Sequence, residues 1–136
     1  MISPAKRQKI RRVALGVRKW ADAHHSQMGF PESLCGMCGI AAAKLAKELR
    51  REKIYARIVS NNYHAFVMYG EMIIDITATQ FGKYPQVMVR NQNKLKKNHW
   101  DKLYSHRSAS AFQTYQRDTR WPLEQVLEEA EKFLTR

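Results

Sequence analysis

The chain has only two cysteines, Cys35 and Cys38, in 136 residues. Two thiols are too few to staple a small secreted fold, so a disulfide framework is excluded. A close Cys-x-x-Cys pair outside such a framework points to metal, redox or catalytic chemistry. Long apolar runs are also missing. No stretch approaches the roughly 18 apolar residues of a membrane span, and no apolar run of about 7–15 residues follows the basic N-terminus as in a secretory signal. The expectation is a cytoplasmic chain with no membrane partner. Glycine and proline are sparse, at 6 and 4, and nothing reads as a linker, a repeat or a low-complexity segment. One domain over residues 1–136 is therefore expected.

Acidic residues are few as well: 12 Asp and Glu stand against 24 Lys and Arg, a net charge of +12. Charge of one sign speaks to partners and not to fold. An acidic protein or peptide suits it, and so does nucleic acid. The basic groups are densest at Lys6–Arg12, Arg50–Lys53 and Lys94–Lys97. The group on the first helix is read most simply as a solvated outer face, and Lys94–Lys97 as a loop, with contact to an anionic partner as its alternative.

What is present is an ordinary apolar fraction of 44%, enough for one core. Residues 3–26 read as a basic helix within an N-terminal segment 1–30. Ser3 is its N-cap and Pro4 its first residue. Ile10, Val13, Ala14, Val17, Trp20 and Ala21 recur at helical spacing, which leaves Lys6, Arg7, Arg11, Arg12, Arg18 and Lys19 mostly to the other faces. Gly29 and Pro31 mark a loop. A second helix is expected from about Gly36 to Glu52, burying Ala41, Ala42, Leu45, Ala46 and Leu49.

Three strands follow, Ile54–Ser60, Tyr63–Tyr69 and Met72–Thr77. They are joined by turns at Asn61-Asn62 and Gly70-Glu71, the second of these suiting a type II′ hairpin. Gln86–Arg90 fits a further strand, and Lys94–Ser110 a polar loop with a short helix. Trp121-Pro122 opens a last helix to about Leu134, with Leu123, Val126, Leu127, Ala130 and Phe133 apolar. Helices grouped apart from antiparallel strands indicate an α+β fold.

Cys38 heads the second helix between Gly36 and Gly39. Unsatisfied N–H groups and the helix dipole favour a thiolate there, and the same donors suit an oxyanion. Position alone does not separate this from a buried, inert cysteine. A two-residue turn at Gly70-Glu71 sets Tyr69 opposite Met72, His64 opposite Thr77 and Asp75 opposite Phe66. His64 and Asp75 then share one sheet face as diagonal neighbours, with Cα atoms roughly 7–8 Å apart. A carboxylate so placed orients an imidazole, and a thiol meeting that imidazole completes what covalent acyl transfer needs. A structural cross-strand pair is the bland alternative.

Gly36-x-Cys38, Leu49-Arg50, Ala56-Arg57-x-Val59, His64-Ala65-Phe66 and Asp75-x-Thr77 resemble, in order and spacing, the signature of transglutaminase-like and papain-like cysteine peptidases. The Cys38-to-Arg57 interval fits the family and selects Cys38 over Cys35 as nucleophile. Phe66 stands where the family often has Trp, and Ile76 where it often has Pro. The resemblance covers about residues 34–82. It implies a compact core in which a helix bearing the nucleophile packs on a small antiparallel sheet. It also implies a catalytic triad of Cys38, His64 and Asp75 acting on amide bonds of protein or peptide, as protease, deamidase or transglutaminase, with no cofactor and no metal. Thr77 and Gln80 would line the site. Asn61, Asn62, Gln27 and backbone groups are candidates for the second oxyanion donor.

Three other readings stay open. Cys35 and Cys38 with His24, His25, His64, His99 or His106 would hold zinc in a basic nucleic-acid-binding module. Against it, no second ligand pair has the spacing of a finger, and no H-x-E precedes the pair as in a zinc deaminase. A dithiol redox protein would want a strand before the motif. An inactive binding protein on the same fold is the third.

Overall fold

The computed structural model describes residues 2–31, 33–34, 37–60, 64–91, 104, 127–128 and 131–132. It is an α+β arrangement of two helices and a four-stranded antiparallel sheet. Helix α1 spans Pro4–His24, and the Ser3 hydroxyl accepts from the Lys6 N–H at 3.2 Å, so the expected cap forms. Helix α2 spans Cys38–Arg51. Strands β1 (Arg57–Ser60), β2 (Ala65–Tyr69), β3 (Met72–Asp75) and β4 (Met88–Asn91) lie side by side in chain order. A short 3-10 turn, Ala78–Phe81, joins β3 towards β4.

The β2–β3 register is the one the turn chemistry requires. Tyr69 faces Met72, Met68 faces Ile73 and Val67 faces Ile74. Gly70 has φ +59°, whereas Glu71 is not among the residues with positive φ. Only the first central residue is left-handed, which identifies type II′ over type I′. On the other side of β3, Asp75 pairs with Met88 and Ile74 with Val89. The fourth strand runs from Met88, two residues later than the expected Gln86 start. The first strand is shorter than expected, because Ile54 still closes the helix end with its N–H on Leu49 O.

Period-two alternation divides the apolar residues between the two faces. Ile58, Val67, Met72, Ile74 and Val89 join Ile10, Ala14, Val17, Leu45 and Leu49 in the core against the helices. Val59, Phe66, Met68, Ile73 and Met88 form a second cluster with Ala78 and Tyr104. Both faces of this small sheet are therefore covered. Leu127 is buried in the helix-side core, and Glu131 meets Lys44 of α2 at 3.5 Å. The described residues of the expected last helix are helical; Leu123, Val126, Ala130 and Phe133, like the expected Lys94–Ser110 loop except Tyr104, lie outside the described residues.

Arg18 departs from the sequence reading. It was expected on an outer face, yet it is buried. Its guanidinium donates to Ile76 O and Thr79 Oγ1, each at 2.8 Å, and pairs with Asp22 at 3.0 Å. Helical spacing places Arg18 beside Val17 and Ala21 on the inward stripe. It enters because the chain just past β3 offers acceptors that apolar neighbours cannot satisfy. The result ties α1 to the segment that follows Asp75.

Candidate active site

Cys38 is the first residue of α2, half-buried, with buried Met37 before it and buried Gly39 and Ile40 after it. The N–H groups of the first helical turn have no carbonyl four residues back within the helix. Helix α2 packs on β2 and β1, and its N-terminus arrives where the chain enters β2. There the Cys38 thiol adjoins the His64 imidazole, close enough to favour its protonated form.

His64 sits immediately before β2 and is 2% exposed. Its Nε2 lies 2.6 Å from Asp75 Oδ2. With Nε2 committed to the carboxylate, Nδ1 is the ring nitrogen turned away from Asp75. The diagonal placement expected from the hairpin is what allows this contact, since a one-residue slip would send the two side chains to opposite faces. Three aromatic rings enclose the imidazole. Phe66 stacks at 5.8 Å between centroids, while Phe81 and Tyr104 stand edge-on at 5.0 and 6.1 Å. Phe81 is the one of these three that borders solvent, at 43% exposure.

Asp75 ends β3 among Ile73, Ile74 and Ile76, all buried. Its Oδ1 accepts from the Thr77 N–H at 3.0 Å and the Thr77 hydroxyl at 3.3 Å. Its Oδ2 accepts from His64 and from the Tyr104 hydroxyl, the latter at 2.7 Å. Both oxygens are thus fully engaged, as a buried carboxylate requires.

The electrostatics follow from this geometry. Burial pulls the His64 pKa down, but the Asp75 charge and hydrogen bond, with Cys38 adding to them, prevail and push it up to about 9. Burial pushes Asp75 up, yet His64, the Thr77 N–H and Tyr104 hold it below the usual carboxylate range. Burial and the adjacent Asp75 charge raise Tyr104, so its hydroxyl keeps its proton and stays a donor. The imidazole is protonated at neutral pH, beside a thiol and a carboxylate. Such a set can supply a nucleophile, a proton donor and a fixed counter-charge.

The structure brings together Cys38, His64 and Asp75. It gives Thr77 a different place from the expected lining role, as Asp75's partner behind the imidazole. Gln80 lines a polar pocket of about 180 Å³ with Arg18, Asp22, His25, Ser33, Leu34 and Thr79. Gln27 places its side-chain oxygen 2.9 Å from His24 Nδ1. Asn61, Asn62 and Cys35 lie outside the described residues, as do His99 and His106. Among the described residues no group of three or more His, Cys, Asp or Glu side chains could hold a metal ion, and His24, His25 and His64 each engage a different partner.

Two residues at the site escaped the sequence reading. Tyr104 lies 29 positions from Asp75 in a stretch with no readable periodicity. Phe81 follows the hairpin as an isolated aromatic, and no spacing rule links it to His64. No family model, no curated protein and no solved structure matches the chain.

Proposed function

We propose that the chain is a cysteine-dependent acyl-transfer enzyme acting on amide bonds of protein or peptide. The observation that carries this reading is the His64 ring held 2.6 Å from Asp75 with the thiol at the head of α2 near enough to act on that ring. The resemblance of residues 34–82 to transglutaminase-like and papain-like peptidases points the same way. In the net charge of +12, with Arg11, Arg12 and Lys19 exposed along α1, an acidic peptide or protein finds its complement. A cytoplasmic location belongs to the same proposal.

The chemistry runs in two halves. Cys38 Sγ, as thiolate, attacks the carbonyl carbon. A C–S bond forms and the carbonyl π pair moves to oxygen, where N–H groups of the first turn of α2 receive the oxyanion. When that pair returns, the C–N bond breaks and its electrons take the proton from His64 Nδ1. An amine departs and a thioester remains. Neutral His64 then accepts a proton from water or from an incoming amine, whose lone pair attacks the thioester. Expulsion of the Cys38 thiolate restores the starting pair. Asp75 keeps its charge throughout and holds the ring in orientation. Water as acceptor gives a peptidase or deamidase, and an amine gives a crosslinked product.

Hydroxylamine intercepts a thioester as a hydroxamate, which mass spectrometry reads. Incubated with acidic peptides and hydroxylamine, the native chain should form peptide hydroxamate, and Cys38→Ala should form none. A folded Cys38→Ala protein with equal yield would overturn the reading.

A further inference from the structure

The Tyr104 hydroxyl and His64 Nε2 share one carboxylate oxygen, at 2.7 and 2.6 Å. Tyr104 is buried, and its ring also stands edge-on to His64 and to Phe66, the latter at 5.1 Å. It therefore touches both members of the acid–base pair while acting on the reaction only through them. A hydroxyl donated to a carboxylate oxygen withdraws charge from that oxygen. The same oxygen is what holds the proton on the imidazolium, so every increment taken by Tyr104 is lost to His64.

We propose that Tyr104 is a positioning residue that limits how tightly Asp75 holds the His64 proton, so that the imidazolium can release it to the leaving amine. This inference rests on the acyl-transfer reading and adds the control of its acid. The need for such control is physical. A buried imidazole facing a buried carboxylate becomes a poor acid, and general acid catalysis works best with a group that titrates near the working pH. Thr77 restrains the other carboxylate oxygen, so Tyr104 also sets the rotation of the Asp75 head. Among the described residues, the titratable groups bearing on this cluster are Cys38 from α2, Asp75 from β3 and Tyr84 from the loop before β4.

The test follows the His64 ring by nitrogen NMR across pH in the full chain, in native protein, in Tyr104→Phe, and with 3-fluorotyrosine installed at position 104. Phenylalanine keeps the ring and removes the donor; fluorine strengthens the donor. The His64 midpoint should rise in Tyr104→Phe by about half a pH unit, roughly a threefold gain in proton affinity. It should fall in the fluorotyrosine protein. A purely structural tyrosine would not move the midpoint in opposite directions. An unchanged or lowered midpoint in Tyr104→Phe overturns the proposal. Should that variant fail to fold, an unchanged or raised midpoint with fluorotyrosine does so. Failure of the acyl-transfer reading is seen separately, as absence of hydroxamate from native protein whatever the ring midpoints show.

Discussion

Asp75 illustrates how one residue is both a structural and a chemical element. A buried carboxylate stays ionised here because the His64 charge faces it and donors meet both of its oxygens. Replacing it with asparagine keeps the shape, removes the charge and leaves His64 without its counter-ion. Amide turnover by Asp75→Asn should fall roughly 100-fold or more. Urea denaturation should show a loss of about 3 kcal/mol, the cost of breaking a buried pair from one side. The contact of His64 with Asp75 was legible from the spacing of the hairpin. Tyr104 was not, because a hydroxyl arriving from a distant, aperiodic segment leaves no local mark. Arg18 misled for a related reason: helical periodicity sorts apolar from polar side chains, but it does not foresee acceptors at the far end of another element.

At the scale of elements, the β2–β3 hairpin is the device that makes the site. Its two-residue turn at Gly70-Glu71 sets the register, and the register puts His64 and Asp75 on one face. Inserting one alanine between Ile74 and Asp75 leaves the turn and the Val67–Ile74 pairing in place and should carry Asp75 to the opposite face. The sheet should persist by circular dichroism, while hydroxamate formation drops to the level of Cys38→Ala. Retained activity would mean that the ring does not depend on this acid. The turn was readable because Gly at the first central position has a direct conformational cause. The strand ends were less so. Ile54 has the composition of a strand residue, yet its N–H closes the preceding helix.

For the whole molecule, the His64–Asp75 pair links stability to pH in a defined direction. His64 titrates higher in the fold than in the unfolded chain. Its contribution is fully present below about pH 6.5 and is lost as pH rises through about 9, a change on the order of 3 kcal/mol. Asp75 titrates lower in the fold. Its contribution is present above the ordinary carboxylate value of about 4 and is lost as pH falls through the depressed one. Urea midpoints should therefore decline from pH 6.5 towards 9 more steeply in native protein than in His64→Gln. That comparison is needed because the net charge of +12 relaxes its self-repulsion over the same range. Equal slopes would show that the pair carries no linkage.

The α+β class, the helix at Cys38 and the hairpin register follow from the chain alone. Each rests on local rules: periodicity of 3.6 or 2, a cap, a glycine in a turn. The meeting of thiol with imidazole, the burial of Arg18, the aromatic enclosure of His64 and the fourth donor on Asp75 were decided only in three dimensions. These contacts join segments that no local rule relates, and burial alone determines which polar groups must find one another.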